Sequence, residues 1–179
     1  MTVTGADVSS KLKDMLRERG YDVSEVDSRT WEARKKLKRV GLKGRTIYFL
    51  TRIVDTLTLK EVEETNKLFE RRRPKGSMTF FFYNIVLIVD DGYEEGAVKY
   101  IADKMFETWN TAPYTPWDVL FTSYTKVTHT VSVTEGIALY PYKPQLVQKM
   151  LHREVVEVMN SLMLWLRKHV HAGEGPLPQ

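Results

Sequence analysis

The chain has 179 residues, 42% of them hydrophobic and 28% charged, with a formal net charge of +4 and no cysteine. That length and mixed composition suit one well-buried domain and set aside two ordinary domains, a mainly disordered polymer, disulfides, cysteine nucleophiles and thiolate metal sites. No apolar run reaches a membrane span and the first residues lack an apolar signal core, so the expected setting is cytoplasmic, with no membrane partner.

Val8, Leu12, Met15 and Leu16 recur at helical spacing ahead of Gly20, which predicts a helix over about 6–19. A short strand follows at 21–26. Ser28 or Thr30 can cap a second helix through Lys38, with Trp31 and Leu37 as a thin apolar stripe under a basic face, until Gly41 and Gly44 break it. The run 46–54 is rich in β-branched and aromatic residues and reads as a strand, and Thr58 caps a helix over 59–72. Residues 78–92 are apolar on both faces, as in a central strand, and Asp90, Asp91 and Gly92 end them. A helix over 94–109 turns Val98, Ile101, Ala102, Met105 and Phe106 inward, before a Pro-rich turn at 112–117. Two further strands follow. In the second, Val127, His129, Val131 and Val133 alternate with hydroxyl residues, which predicts a sheet open on one side.

From about 145 to 170, Leu151, Val155, Val158, Leu162 and Trp165 recur at alternating four- and three-residue steps. A helix of this length is a rod of roughly 40 Å, longer than one sheet needs as cover. It is expected to overhang and to pair with a second copy, making the chain a homodimer through those five residues. The expected architecture is α+β: a mostly antiparallel sheet with flanking helices over 1–142, a long C-terminal dimerisation helix over 143–172, and a mobile tail over 173–179.

Charge is segregated along this plan. Residues 29–52 hold nine Lys or Arg (Arg29, Arg34, Lys35, Lys36, Lys38, Arg39, Lys43, Arg45 and Arg52) and one acid, Glu32. Arg71, Arg72, Arg73 and Lys75 form a second basic run, so the remainder of the chain is net acidic. A phosphate backbone is the common partner of such patches, because each neutralised phosphate releases condensed counterions. A solvated basic face without a partner would have the same composition.

Chemistry for catalysis is sparse. The sequence has no Gly-rich phosphate loop, HExxH pair or nucleophile elbow. It has no acid-x-Lys of the kind a metal-dependent nuclease carries, which leaves Asp90, Asp91 and Glu94 as the candidate Mg²⁺ ligands of a divergent nuclease. Acids there more commonly begin a helix. The four histidines (His129, His152, His169 and His171) lack metal-ligand spacing, so neither a metal nor another cofactor is expected.

Aromatic residues accompany the cations: Trp31, Tyr48, Phe49, Phe80, Phe81, Phe82 and Tyr83 lie in or beside the basic segments. Single-strand binding uses that pairing, since cations follow phosphates while rings stack on unpaired bases. Successive strand residues point to opposite faces, so only part of Phe80 to Tyr83 can face a ligand. A protein-interaction module whose basic face meets an acidic protein is the remaining alternative.

The combination of basic WEARKKLKRVGLKGR, aromatic IYFL and TFFFY, a threonine-valine strand and a terminal rod resembles the ThermoDBP family of single-stranded DNA-binding proteins from hyperthermophilic Thermoproteales. The resemblance implies a thermophilic archaeal protein that binds and protects single-stranded DNA in replication and repair, without catalysis. It also implies a cleft with basic rims and an apolar floor, and a C-terminal coiled coil. Carried over residue by residue, Arg34, Lys36, Lys38, Arg39, Lys43, Arg45 and Arg52 are the expected rim, and Lys35, Arg71, Arg72, Arg73 and Lys75 complete the expected nucleic-acid-binding set. Tyr48, Phe80 and Phe82 are the expected floor.

Overall fold

Thr4 opens the first helix with a reciprocal cap: its hydroxyl accepts from the Asp7 amide, and the Asp7 carboxylate accepts from the Thr4 amide. The computed structural model describes residues 3–109, 117–122 and 146–171. Helix α1 (Gly5–Glu18) ends just before Gly20, whose positive φ of 82° carries the chain into the sheet. Strands β1 (Asp22–Asp27), β2 (Thr30–Val40) and β3 (Lys43–Val54) form an antiparallel meander. Helix α2 (Leu59–Arg72), capped by Thr58 as expected, crosses to β4 (Thr79–Val89), which pairs parallel with β3. Helix α3 (Glu95–Trp109) leads to β5 (Trp117–Phe121), parallel to β4. The last described element is helix α4 (Leu146–His171).

The fold is thus α+β, with four helices and a five-stranded mixed sheet in the order β1-β2-β3-β4-β5 among the described residues. The expectation of a mostly antiparallel sheet is corrected. Both connections leaving β3 and β4 contain a helix, and a helical crossover returns the chain to start a parallel strand. The strand expected at 127–134, with His129, and the tail over 173–179 lie outside the described residues, as does most of the Pro-rich turn.

Residues 30–38 form a strand where the sequence predicts a helix. Trp31, Ala33, Lys35 and Leu37 share one face, while Glu32, Arg34 and Lys36 share the other. Trp31 is buried and its indole N–H donates to the Ser9 hydroxyl on α1 at 2.8 Å, so a tertiary contact reinforces the extended state. Pairing with strands on both sides then outweighs a weak helical preference.

Strand parity divides the core. Ile47 and Phe49 of β3, with Phe82, Val86 and Ile88 of β4, pack under α1 and α4. Tyr48, Leu50 and Val54, with Tyr83, Ile85, Leu87 and Val89, pack under α2 and α3. The sheet is therefore covered on both faces. Val155, Val158 and Leu162 of α4 are buried in the first of these clusters, with Trp165 partly buried against it. The expected seam is corrected to this extent: Val155, Val158 and Leu162 cover the chain's own sheet and α1 and so are not exposed for a second copy. Leu151 falls within the same helix.

Candidate nucleic-acid interface

Two basic segments separated in sequence meet at one end of the sheet. The β2–β3 turn at Gly41 and Leu42 stands beside the start of β4, because Gly44 pairs with Thr79 and its amide donates to the Met78 carbonyl at 2.9 Å. Helix α2 leaves from the far end of β3 and runs back along it, which sets Arg72 over Glu32 and Arg73 over the Tyr83 ring, and the segment with Lys75 then leads to Thr79 beside Gly44. Cations in the last turn of α2 also suit the negative end of its dipole.

Farther along β2, opposite Leu50, lies Glu32. Its side chain is only 6% exposed and faces Tyr48, whose hydroxyl donates to Oε2 at 2.9 Å. Arg72 reaches over from α2 to donate Nε to Oε2 and Nη2 to Oε1, both at 3.1 Å, while Arg34 donates Nη2 to Oε1 at 3.1 Å. Burial alone would raise the Glu32 pKa, but the hydrogen bonds from Arg72 and Tyr48 and the charges of Arg34 and Arg72 outweigh it and hold the carboxyl below its ordinary range. Burial pushes the Tyr48 hydroxyl up, with the Glu32 charge adding to it. Tyr48 packs edge-on against Tyr83, and the Arg34 guanidinium lies 5.5 Å from the Tyr48 ring centre.

Other cations at this end have no such engagement. Among the described residues, Lys36, Lys38, Lys43, Arg45, Arg71 and Lys75 make no ion pair. Lys43 Nζ stands 4.6 Å over the Phe80 ring, and Arg45 Nε donates to the Lys38 carbonyl at 3.0 Å. Three apolar side chains are exposed among them: Leu42 at 82%, Met78 at 57% and Phe80 at 44%. Arg39 belongs to the same strand as Lys36 and Lys38.

Several expected site residues are placed otherwise. Tyr48 and Phe82 are buried, so neither forms an exposed floor. Tyr48 pairs across the sheet with Tyr83, while Phe80 pairs with Arg45, which puts Tyr48 and Phe80 on opposite faces. Of the three rings expected as the floor, Phe80 alone is exposed. Arg52 is partly buried and pairs with Glu61 and Glu64 of α2 at 3.1 and 3.5 Å. Lys35 pairs with Glu154 of α4 at 2.6 Å, and Arg73 with Glu70 at 2.9 Å. Sequence reasoning treated Glu32 only as the lone acid in a basic run. That isolation was the available signal, since one carboxylate among nine cations is placed to collect several of them.

Two acids of the nuclease alternative, Asp90 and Glu94, have structural duties. Asp90 Oδ1 accepts from the Gly5 amide at the start of α1 and from the Thr122 hydroxyl at 2.9 Å. Glu94 accepts from the Leu59 amide at the start of α2 at 3.2 Å, so both carboxylates meet the positive ends of helices. No group of acids or histidines that could hold a metal ion occurs among the described residues. Asp118 on β5 lies apart from these acids, and burial raises its carboxyl to about 6. No helix among the described residues is long and apolar enough to cross a membrane. Comparison of the chain with protein-family models, with curated proteins and with solved structures finds no match.

Proposed function

We propose that the chain binds single-stranded DNA, without catalysis, at the end of the sheet where the β2–β3 hairpin meets the start of β4. The observation that carries this reading is the exposed Phe80 ring, with Lys43 standing over it and Arg45 paired beside it, at a hairpin whose Lys36, Lys38, Lys43 and Arg45 make no ion pair among the described residues. Cations of this kind neutralise phosphates at little cost, because no internal ion pair has to be given up. An exposed ring beside them offers a face to an unpaired base, which duplex DNA keeps inside its stack. One copy of the chain suffices for this arrangement.

The test separates charge from stacking. Replacing Lys36, Lys38, Lys43 and Arg45 together by alanine should flatten the salt dependence of single-strand binding by up to about 3 logarithmic units per decade of salt. Phe80→Ala should weaken binding by about 1–3 kcal/mol and leave that slope unchanged, since stacking releases no counterions. An unaltered slope in the first variant would mean that these cations only solvate the hairpin. Binding to an acidic protein, with no preference for unpaired bases, would favour the interaction-module reading.

A further inference from the structure

Glu32 presents a puzzle for a polyanion-binding surface: a buried carboxylate beneath Arg34 and Arg72 repels phosphate. Its contacts supply a reason for its presence. Oε1 accepts from Nη2 of both Arg34 and Arg72, each at 3.1 Å, which brings two guanidinium groups from different elements side by side on one oxygen. Arg72 is engaged through Nε and Nη2, and Arg34 through Nη2, so among the described residues Nη1 of each arginine has no hydrogen-bond partner. The two side chains are 38% and 45% exposed, and the ring of Tyr48 supports Arg34 from below. Two cations against one anion leave the group with a net positive charge.

We infer that Glu32 is a positioning residue that holds Arg34 and Arg72 as a preformed fork for one backbone phosphate of the bound single strand; this rests on the function proposed above. A guanidinium matches phosphate through paired N–H groups in a fixed plane, and fixing that plane in advance removes the rotamer entropy that a free arginine loses on binding. Tyr48 has the same purpose one layer deeper, because its hydroxyl holds the second carboxylate oxygen.

The sign of one substitution separates positioning from simple charge. Glu32→Gln raises the formal net charge by one from +4, so a carboxylate that only repels DNA would bind more tightly once replaced. The fork requires the opposite: affinity of the full chain for a labelled oligothymidylate should fall roughly three- to tenfold. Arg34→Lys, at a half-exposed side chain, keeps the charge and removes the fork, so affinity should fall by a similar factor with the salt slope unchanged. Circular dichroism establishes that each variant is folded, and if Glu32→Gln is not, Arg34→Lys decides alone. A folded variant that binds as well as the unmutated chain, or better, overturns the fork. Failure of the unmutated chain to bind the oligonucleotide overturns the proposed function itself, and the fork with it.

Discussion

Tyr48 shows how far the sequence could be read at the scale of single residues. Its ring lies in a basic, aromatic segment, as a stacking residue should, yet parity turns it under α2 and its hydroxyl finds Glu32 16 positions away. Composition cannot reveal which of two alternating faces a helix will cover, and this is why Tyr48 was expected on the floor with Phe80. Tyr48→Phe should therefore cost about 1–3 kcal/mol in a urea melt, because a buried hydrogen bond to a charged acceptor is lost. Binding is expected to weaken only as far as the fork loosens. Glu32 adds a pH dependence of defined sign. Its folded pKa lies below the ordinary value of 4.5, so its contribution is fully present above that value and is lost as pH falls through the lowered one. Urea midpoints of the unmutated chain should drop below pH 4.5 more steeply than those of a folded Glu32→Gln variant.

Among elements, α1, α2, α3, β3 and β4 were legible because caps, periodicity and β-branched runs agree with their tertiary surroundings. β2 was not. The cue that could have identified it was the turn Gly41–Leu42 between two extended segments, where Gly41 adopts a positive φ of 63°. The long C-terminal helix is present as the periodicity predicts, while three of its five seam residues, Val155, Val158 and Leu162, are buried in the chain's own core. Its repeating apolar stripe suits a coiled coil and a sheet cover equally well, and only the position of α1 beside it shows that the cover is internal. Removing everything after residue 142 should thus leave no folded monomer, because Trp31, Ile47 and Phe82 would lose their cover. Leu162→Ala should lower stability by about 2–5 kcal/mol in equilibrium unfolding without changing the oligomeric state seen by light scattering. A folded truncated monomer would contradict the packing described for α4.

At the scale of the molecule, topology creates the candidate site. An antiparallel hairpin and a helical crossover both finish at the same end of the sheet, so the basic hairpin and the start of β4 that follows the second basic run become neighbours. The charge segregation was visible in the sequence, whereas the meeting point required the parallel pairing of β3 with β4. The most direct measurement is the equilibrium affinity of the full chain for one labelled DNA sequence, as a single strand and as its duplex, at two salt concentrations. The account predicts that the single strand binds more tightly at both, with affinity falling as salt rises. Equal or tighter binding of the duplex, or no binding of either form, would contradict it.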